Sequence, residues 1–211
     1  LIQLTSGDGR VLELDIRTQG DMIRQRIGYM PEYDALNPKM EAIYQVKYSG
    51  ELLGMNPQVA MQRAHQALEY VGLGEQRYRE VSTFSTGMKQ ATKLACALIH
   101  DPLLIIADEP SNGLDQQARE FMLNTLDTTV KQGGRSILMA SHLMEDVERV
   151  CENIVLLHKG KLAAQGKIED LKAIDKEVEI HVWGAASKME ETMKDRGLSV
   201  RREGRIMRIK H

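Results

Sequence analysis

Cysteine is scarce in these 211 residues, with only Cys96 and Cys151. Each lies in an apolar-periodic segment, which speaks against a disulfide framework or a cysteine metal site. Two reduced, buried thiols in a reducing compartment are expected instead. An excess of one charge is missing too. Lys and Arg number 28 against 30 Asp and Glu, a formal net charge of -2, so no broad electrostatic footprint for nucleic acid is present. No apolar run approaches the roughly 18 to 20 residues needed to cross a bilayer, and no signal-peptide pattern opens the sequence. A membrane role is therefore expected to run through a partner. The first residue, Leu1, is not Met, and Leu1 to Leu4 (LIQL) reads as the tail of a helix whose start is missing. A truncated sequence is expected.

A hydrophobic content of 42% supports a real core, in one large domain or one domain with an appendage. The stretch that organises the chain is Leu103 to Asp115, LLIIADEPSNGLD. Its apolar run, Leu103 to Ala107, predicts a strand buried on both faces in a parallel sheet. Asp108 and Glu109 then fall at the strand's carboxyl end, where open α/β sheets place their ligands. Two adjacent acids there can divide labour in phosphoryl transfer, one holding Mg²⁺ and the other taking a proton from water. The same residues also suit a strand followed by a solvated acidic turn.

In chain order, Gly9 to Arg17 reads as a strand, Asp21 to Arg26 as a short polar helix or turn, and Ile27 to Met30 as a buried strand stopped by Pro31 and Glu32. Helical spacing then takes over, with helices expected over Met40 to Leu53, Pro57 to Val71 and Met88 to Ile99. This block reads as a helical subdomain inserted between two strands of one sheet. Ser85, Thr86 and Gly87, within FSTGMKQ, stand at the amino end of the third helix, as an anion site or as ordinary capping residues. Asp115 is placed to cap a helix from Gln116 to about Lys131, which Gln132, Gly133 and Gly134 end. Ser136 to Ala140 predicts a buried strand that delivers Ser141 and His142 to the edge carrying Asp108 and Glu109; His142 is either a structural or a site residue. Leu143 to Cys151 reads as a helix, and Asn153 to His158 with Lys161 to Ala164 as a hairpin through Lys159 and Gly160. After a polar linker near Ile168 to Lys176 come a strand from Glu177 to Trp183, a charged helix from Lys188 to Arg196, and strands Leu198 to Arg202 and Arg205 to Ile209. The basic residues Arg201, Arg202, Arg205, Arg208 and Lys210 are either a docking surface or the solvated faces of strands.

In this order and spacing, FSTGMKQ, LLIIADEP, SNGLD and SILMASH resemble the nucleotide-binding domain of ABC transporters, over about Gly9 to Gly166. Thr86 and Met88 make the signature similar to that of bacterial exporters whose ATPase is separate from the permease. The resemblance implies an α/β fold, a P-loop NTPase-like sheet core over 1–167 with a helical subdomain at about 38–100. A small α+β appendage is expected over 177–211. It implies that Asp108 helps hold Mg²⁺, that Glu109 is the general base, that His142 contacts the terminal phosphate and that Asp115 lies at a dimer contact. Glu32 stands where the family usually carries a Gln that reaches Mg²⁺ and water. Two such domains sandwich ATP, so Ser85, Thr86 and Gly87 would touch nucleotide held by the partner. The helical block, with Tyr33 to Tyr44, would carry the motion to membrane permease subunits from the cytoplasmic face. Such a protein needs ATP, Mg²⁺, a second ATPase subunit and a permease, and no nucleic acid.

One family element is missing: no G-x-x-x-x-G-K-[ST] occurs in the chain. That loop supplies the amides and Lys that cradle phosphates and the Ser or Thr that ligates Mg²⁺. Weak ATP binding and negligible turnover are therefore expected of this chain alone. The alternative is a non-catalytic partner that lends its signature helix to another chain's site.

Overall fold

The computed structural model describes residues 5–174, 177–181, 190–191, 193–194, 199–203 and 206–210. The helix tail expected at Leu1 to Leu4 lies outside them. The chain forms two compact units, Leu1–Cys151 and Glu152–His211.

The first unit opens with two short antiparallel strands, β1 (Arg10–Val11) and β2 (Leu14–Asp15). The single strand expected over Gly9 to Arg17 is thus a tight hairpin. Leu12 and Glu13 take left-handed φ values of 51° and 64° and reverse the chain. Two positive φ values in a two-residue turn match the twist of paired strands, but Asn or Gly normally supplies them. Next come α1 (Gly20–Arg24), β3 (Ile27–Met30), α2 (Ala42–Leu52), α3 (Pro57–Tyr70), two 3-10 turns and α4 (Thr86–Leu98). They are followed by β4 (Leu104–Asp108), α5 (Gln116–Gly133), β5 (Ser136–Ala140) and α6 (Met144–Val150). Local sequence accounts for the helix ends. Asn56 Oδ1 accepts the Gln58 N–H at 2.9 Å with Pro57 in the first turn, and α5 stops at Gly134, φ 60°.

Strands β3, β4 and β5 form one parallel sheet in that order, with Met30 opposite Ala107 and Asp108 opposite Ala140. The helical block α2–α4 is therefore inserted between adjacent parallel strands, as the sequence predicts. The three carboxyl ends share one edge. Met30, Val46, Leu68, Leu94, Ile99 and Leu126 are fully enclosed in the core. Helix α4 presses so closely on β3 that a Cβ at Gly28 would stand 2.2 Å from the Ala97 carbonyl oxygen.

The sheet is buried on one face only, which corrects the expectation for β4 and β5. Ile105 and Ala107 are fully buried, whereas Leu104 and Ile106 are half-buried and Leu103 is exposed. Ile106 shares a cross-strand row with Tyr29 and Leu138, which are 48% and 59% exposed. Among the described residues nothing shields that row.

In the second unit, β6 (Asn153–His158) and β7 (Lys161–Lys167) form the expected antiparallel hairpin, turning through Lys159 and Gly160 at φ 49° and 72°. These two strands pair only with each other among the described residues, and the hairpin, assigned from the sequence to the first domain, groups with this unit. The linker expected near Ile168 to Lys176 is largely a helix, α7 (Ile168–Ile174). Glu169 and Asp170 occupy its first turn, where they favour the helix dipole instead of marking a solvated linker. Strands β8 (Glu177–His181), β9 (Ser199–Glu203) and β10 (Ile206–Lys210) form an antiparallel sheet in the order β8-β10-β9. Of the charged helix expected over Lys188 to Arg196, 190–191 and 193–194 are helical and the rest, like Trp183 and Arg205, lies outside the described residues.

Candidate functional site at the sheet edge

Each parallel strand delivers at least one acidic or imidazole group to the common edge. β4 ends in Asp108, and Glu109 follows it with φ 47°, a left-handed conformation uncommon for a residue with a side chain. That turn sends the two neighbouring acids to different places. Asp108 lies on the sheet face that carries Tyr29, and its carboxylate makes no hydrogen bond among the described residues. Burial pushes the Tyr29 hydroxyl's pKa up, and the charge of Asp108 adds to the shift.

Glu109 instead crosses to the end of β5. Its Oε1 accepts the His142 backbone N–H at 3.0 Å, and its Oε2 lies 2.9 Å from His142 Nδ1 and 3.5 Å from Ser141 Oγ. The Glu109 side chain is 17% exposed and the His142 side chain 65%, so the carboxylate is sheltered while the imidazole reaches solvent. Such a pair can hold, accept or pass a proton at the imidazole edge.

Ser85 caps α4, its Oγ accepting the Met88 N–H at 3.3 Å, and Ser85 and Thr86 are exposed. The first turn sits tightly against the start of α5: a Cβ at Gly87 would meet Ala118 Cβ at 3.2 Å, and one at Gly113 would meet Thr86 Cγ2 at 3.4 Å. Asp115 caps α5 by accepting the Ala118 N–H at 2.8 Å and is itself exposed. Glu32 is exposed at the end of β3, with Asn112 Nδ2 donating to its Oε1 at 3.5 Å. The structure thus brings Glu109 and His142 together directly. It ties Glu32 to the turn after β4 and packs the Ser85 helix end beside that turn.

Two groups escape sequence reasoning. Lys93, only 5% exposed, donates from Nζ to the carbonyl oxygens of Pro31, Glu32 and Tyr33 at 2.8, 3.0 and 3.4 Å. Burial pushes its pKa down, while Asp34 and Glu32 act in the other direction. Nothing in the local pattern of α4, which also carries Thr86, Lys89, Gln90 and Thr92, sets Lys93 apart. Asp146, 1% exposed, accepts from Ser111 Oγ and from Arg119 Nε at 2.7 Å, so α6 is tied to α5 and to the turn after β4. Its spacing from His142 carries no visible signal.

The donor set bears on the metal. No cluster of three or more His, Cys, Asp or Glu side chains fit to hold an ion is present among the described residues. Mg²⁺ is usually held by one or two carboxylates, waters and substrate phosphates, not by an all-protein cage. The unpartnered Asp108 carboxylate fits that mode.

In sequence, the chain is 37% identical to the linearmycin resistance ATP-binding protein LnrL of Bacillus subtilis over 148 residues, 70% of this chain and 47% of that one. It is 34% identical to the Nod factor export ATP-binding protein I of Cupriavidus pinatubonensis over 174 residues, 81% of this chain and 53% of the relative. The chain spans about half the length of these curated relatives. In fold it is similar to an ATP-binding cassette solved as a dimer in a post-hydrolysis state with ADP and Pi, at a TM-score of 0.70 and 21% identity, covering 78% of this chain and 74% of the other. The ATP-binding subunit of an ABC transporter is similar at a TM-score of 0.64 and 26% identity, covering 76% and 66%. The family model described as ABC transporter matches residues 1–112, more than half of the 211, and this chain belongs to that family.

Proposed function

We propose that this chain is part of the ATP-binding subunit of an ABC exporter, which couples ATP binding and hydrolysis at a dimer interface to a separate membrane permease. The observation that carries the reading is the Glu109–His142 contact beside an unpartnered Asp108. In this reading Asp108 would help hold Mg²⁺, which would supply charge stabilisation to the transferring phosphoryl group. Glu109 takes the proton of the attacking water, and His142 reads the terminal phosphate. ATP supplies the phosphoryl group; the chain's own residues orient the water and move its proton. Ser85, Thr86 and Gly87 present amides to nucleotide held by a second subunit, with Asp115 at the contact. Glu32 would orient the water or help hold the metal.

Exposed aromatics support a permease contact. Tyr33, Tyr44 and Tyr48, on the loop after Glu32 and on α2, are 48% to 68% exposed. Among the described residues no helix is long and apolar enough to cross a membrane. Attachment at the cytoplasmic face is accordingly assigned to the permease.

The phosphate-cradling loop is not in these residues, so millimolar Mg²⁺·ATP is the appropriate probe. Calorimetry is expected to give affinity weaker than micromolar and no turnover above background. Chemical shifts should move at Asp108, Glu109 and His142, whereas Ser85 to Gly87 should respond only when a second subunit that holds the nucleotide is added. Micromolar affinity would refute the expectation of weak binding, and shifts confined to other residues would overturn the assignment. A second reading, a non-catalytic subunit that only lends the Ser85 helix end, is favoured by the exposure of Ser85 and Thr86 alone; the paired Glu109 and His142 favour catalysis.

A further inference from the structure

We propose that Lys93 is a positioning residue that fastens the loop carrying Glu32 to the helix starting at Ser85, so that the two ends of the site move as one body. An ammonium has three N–H donors and no acceptor. Here three successive carbonyls, of Pro31, Glu32 and Tyr33, take all three at 2.8, 3.0 and 3.4 Å. A buried ammonium is costly unless its donors are fully used. This one is 5% exposed and, among the described residues, has no carboxylate in hydrogen-bonding contact, so the carbonyls are what hold it.

The arrangement is directional. Each carbonyl accepts a charge-assisted bond, stronger than a neutral one, and three consecutive peptide units are fixed by a single point. One turn earlier on α4, Lys89 Nζ reaches Asp34 Oδ2 at 3.1 Å, but that pair is exposed and adds little. Gln90, also on α4, approaches the Asn112 carbonyl with Nε2 at 3.5 Å, and Asn112 in turn meets Glu32. Lys93 stands eight residues into a helix capped by Ser85, about 12 Å along its axis, so the anchor and the cap belong to one helical element. A shift of Glu32 toward a ligand therefore shifts the exposed Ser85 end, and the reverse holds by reciprocity. What the coupling serves rests on the nucleotide reading above; its existence does not.

The test needs no nucleotide. The whole chain is labelled with ¹³C and ¹⁵N, and wild type is compared with Lys93→Met and Lys93→Arg. In wild type the backbone of residues 32–34 is expected to be as ordered as α4, with order parameters of about 0.85. In Lys93→Met these are expected to fall below about 0.6 while α4 stays rigid. The Arg variant, which keeps charged donors, is expected to hold the loop. A loop that stays ordered in Lys93→Met, or that loosens equally in both variants, would overturn the proposal. If the Met variant fails to fold, the wild-type Lys93 ammonium protons decide: slowed exchange with water supports the fastening, and exchange as fast as at the exposed Lys39 refutes it. Weak or absent ATP binding would leave this result standing, and a loose loop would leave the ATP reading standing.

Discussion

Oε2 of Glu109 and Nδ1 of His142 stand 2.9 Å apart although they leave the ends of different strands, and the His142 backbone N–H fixes the other carboxylate oxygen at 3.0 Å. A carboxylate held at both oxygens has its direction set before any ligand arrives. Exchange of Glu109 for Gln keeps the shape and removes the basic oxygen. In an assembled subunit that carries a phosphate loop, turnover is expected to fall by about 10²–10⁴-fold with nucleotide affinity little changed. Phosphate release measured beside a nucleotide Kd checks this, and undiminished turnover would move the base to another residue.

Asp146 is the buried acid on which the turn after β4, α5 and α6 converge. Its Oδ1 lies 2.6 Å from Arg119 Nη2, and Ser111 Oγ donates to Oδ2. Asp146→Ala removes the acceptor and leaves Ser111 and Arg119 without it. Breaking a buried ion pair usually costs 3–5 kcal/mol, and because Arg119 is 28% exposed the loss here is expected near the lower end, about 3 kcal/mol. Urea unfolding of the variant measures it. A loss under about 1 kcal/mol would mean that water replaces the network.

The sheet edge was legible from sequence because its signal is local. An apolar run ending in Asp108 and Glu109, and a second strand ending at Ser141 and His142, fix both the strands and the edge. The helices α2, α3 and α4 were legible through their apolar spacing. The hairpin at Leu12 and Glu13 was not, because neither residue advertises a left-handed turn. Nor was α7, whose Glu169 and Asp170 resemble a polar linker although Ile168, Leu171 and Ile174 keep a helical spacing. Lys93 and Asp146 stayed hidden for a different reason. Lys93 satisfies carbonyls about sixty residues upstream, and Asp146 a hydroxyl 35 residues upstream, and no local pattern encodes such partners.

His100 gives the fold a pH dependence whose sign follows from its surroundings. Nε2 lies 3.0 Å from the Ile27 carbonyl oxygen and so carries the proton, while the buried Nδ1 has no partner among the described residues. Burial lowers the pKa below the ordinary 6.5, with the Ile27 carbonyl and Asp101 acting the other way. The unfolded chain therefore binds a proton at a pH where the folded one does not. Stability from this group is complete above about pH 6.5 and is lost as pH falls through the interval below it. Urea midpoints at pH 7.5 and 5.5 are expected to differ in wild type, and His100→Gln, which keeps an N–H for Ile27, is expected to remove most of that difference. An unchanged slope in the variant would assign the dependence to another group.

The two thiols are expected to separate by reactivity. Cys96 lies half-buried on α4, and burial pushes its pKa up to about 11; Cys151, half-buried at the end of α6, is raised by burial as well. The thiolate is the nucleophile, so at pH 8 a thiol with a pKa near 11 reacts on the order of 10²-fold more slowly than a free cysteine. Ellman's reagent added to the native chain at pH 8 should label Cys151 first and Cys96 far later, with both labelled at once in urea. Because the Cys96 thiol faces Ser49 on α2, rapid labelling of Cys96 in the native protein would mean that α4, the helix of Lys93, opens from α2.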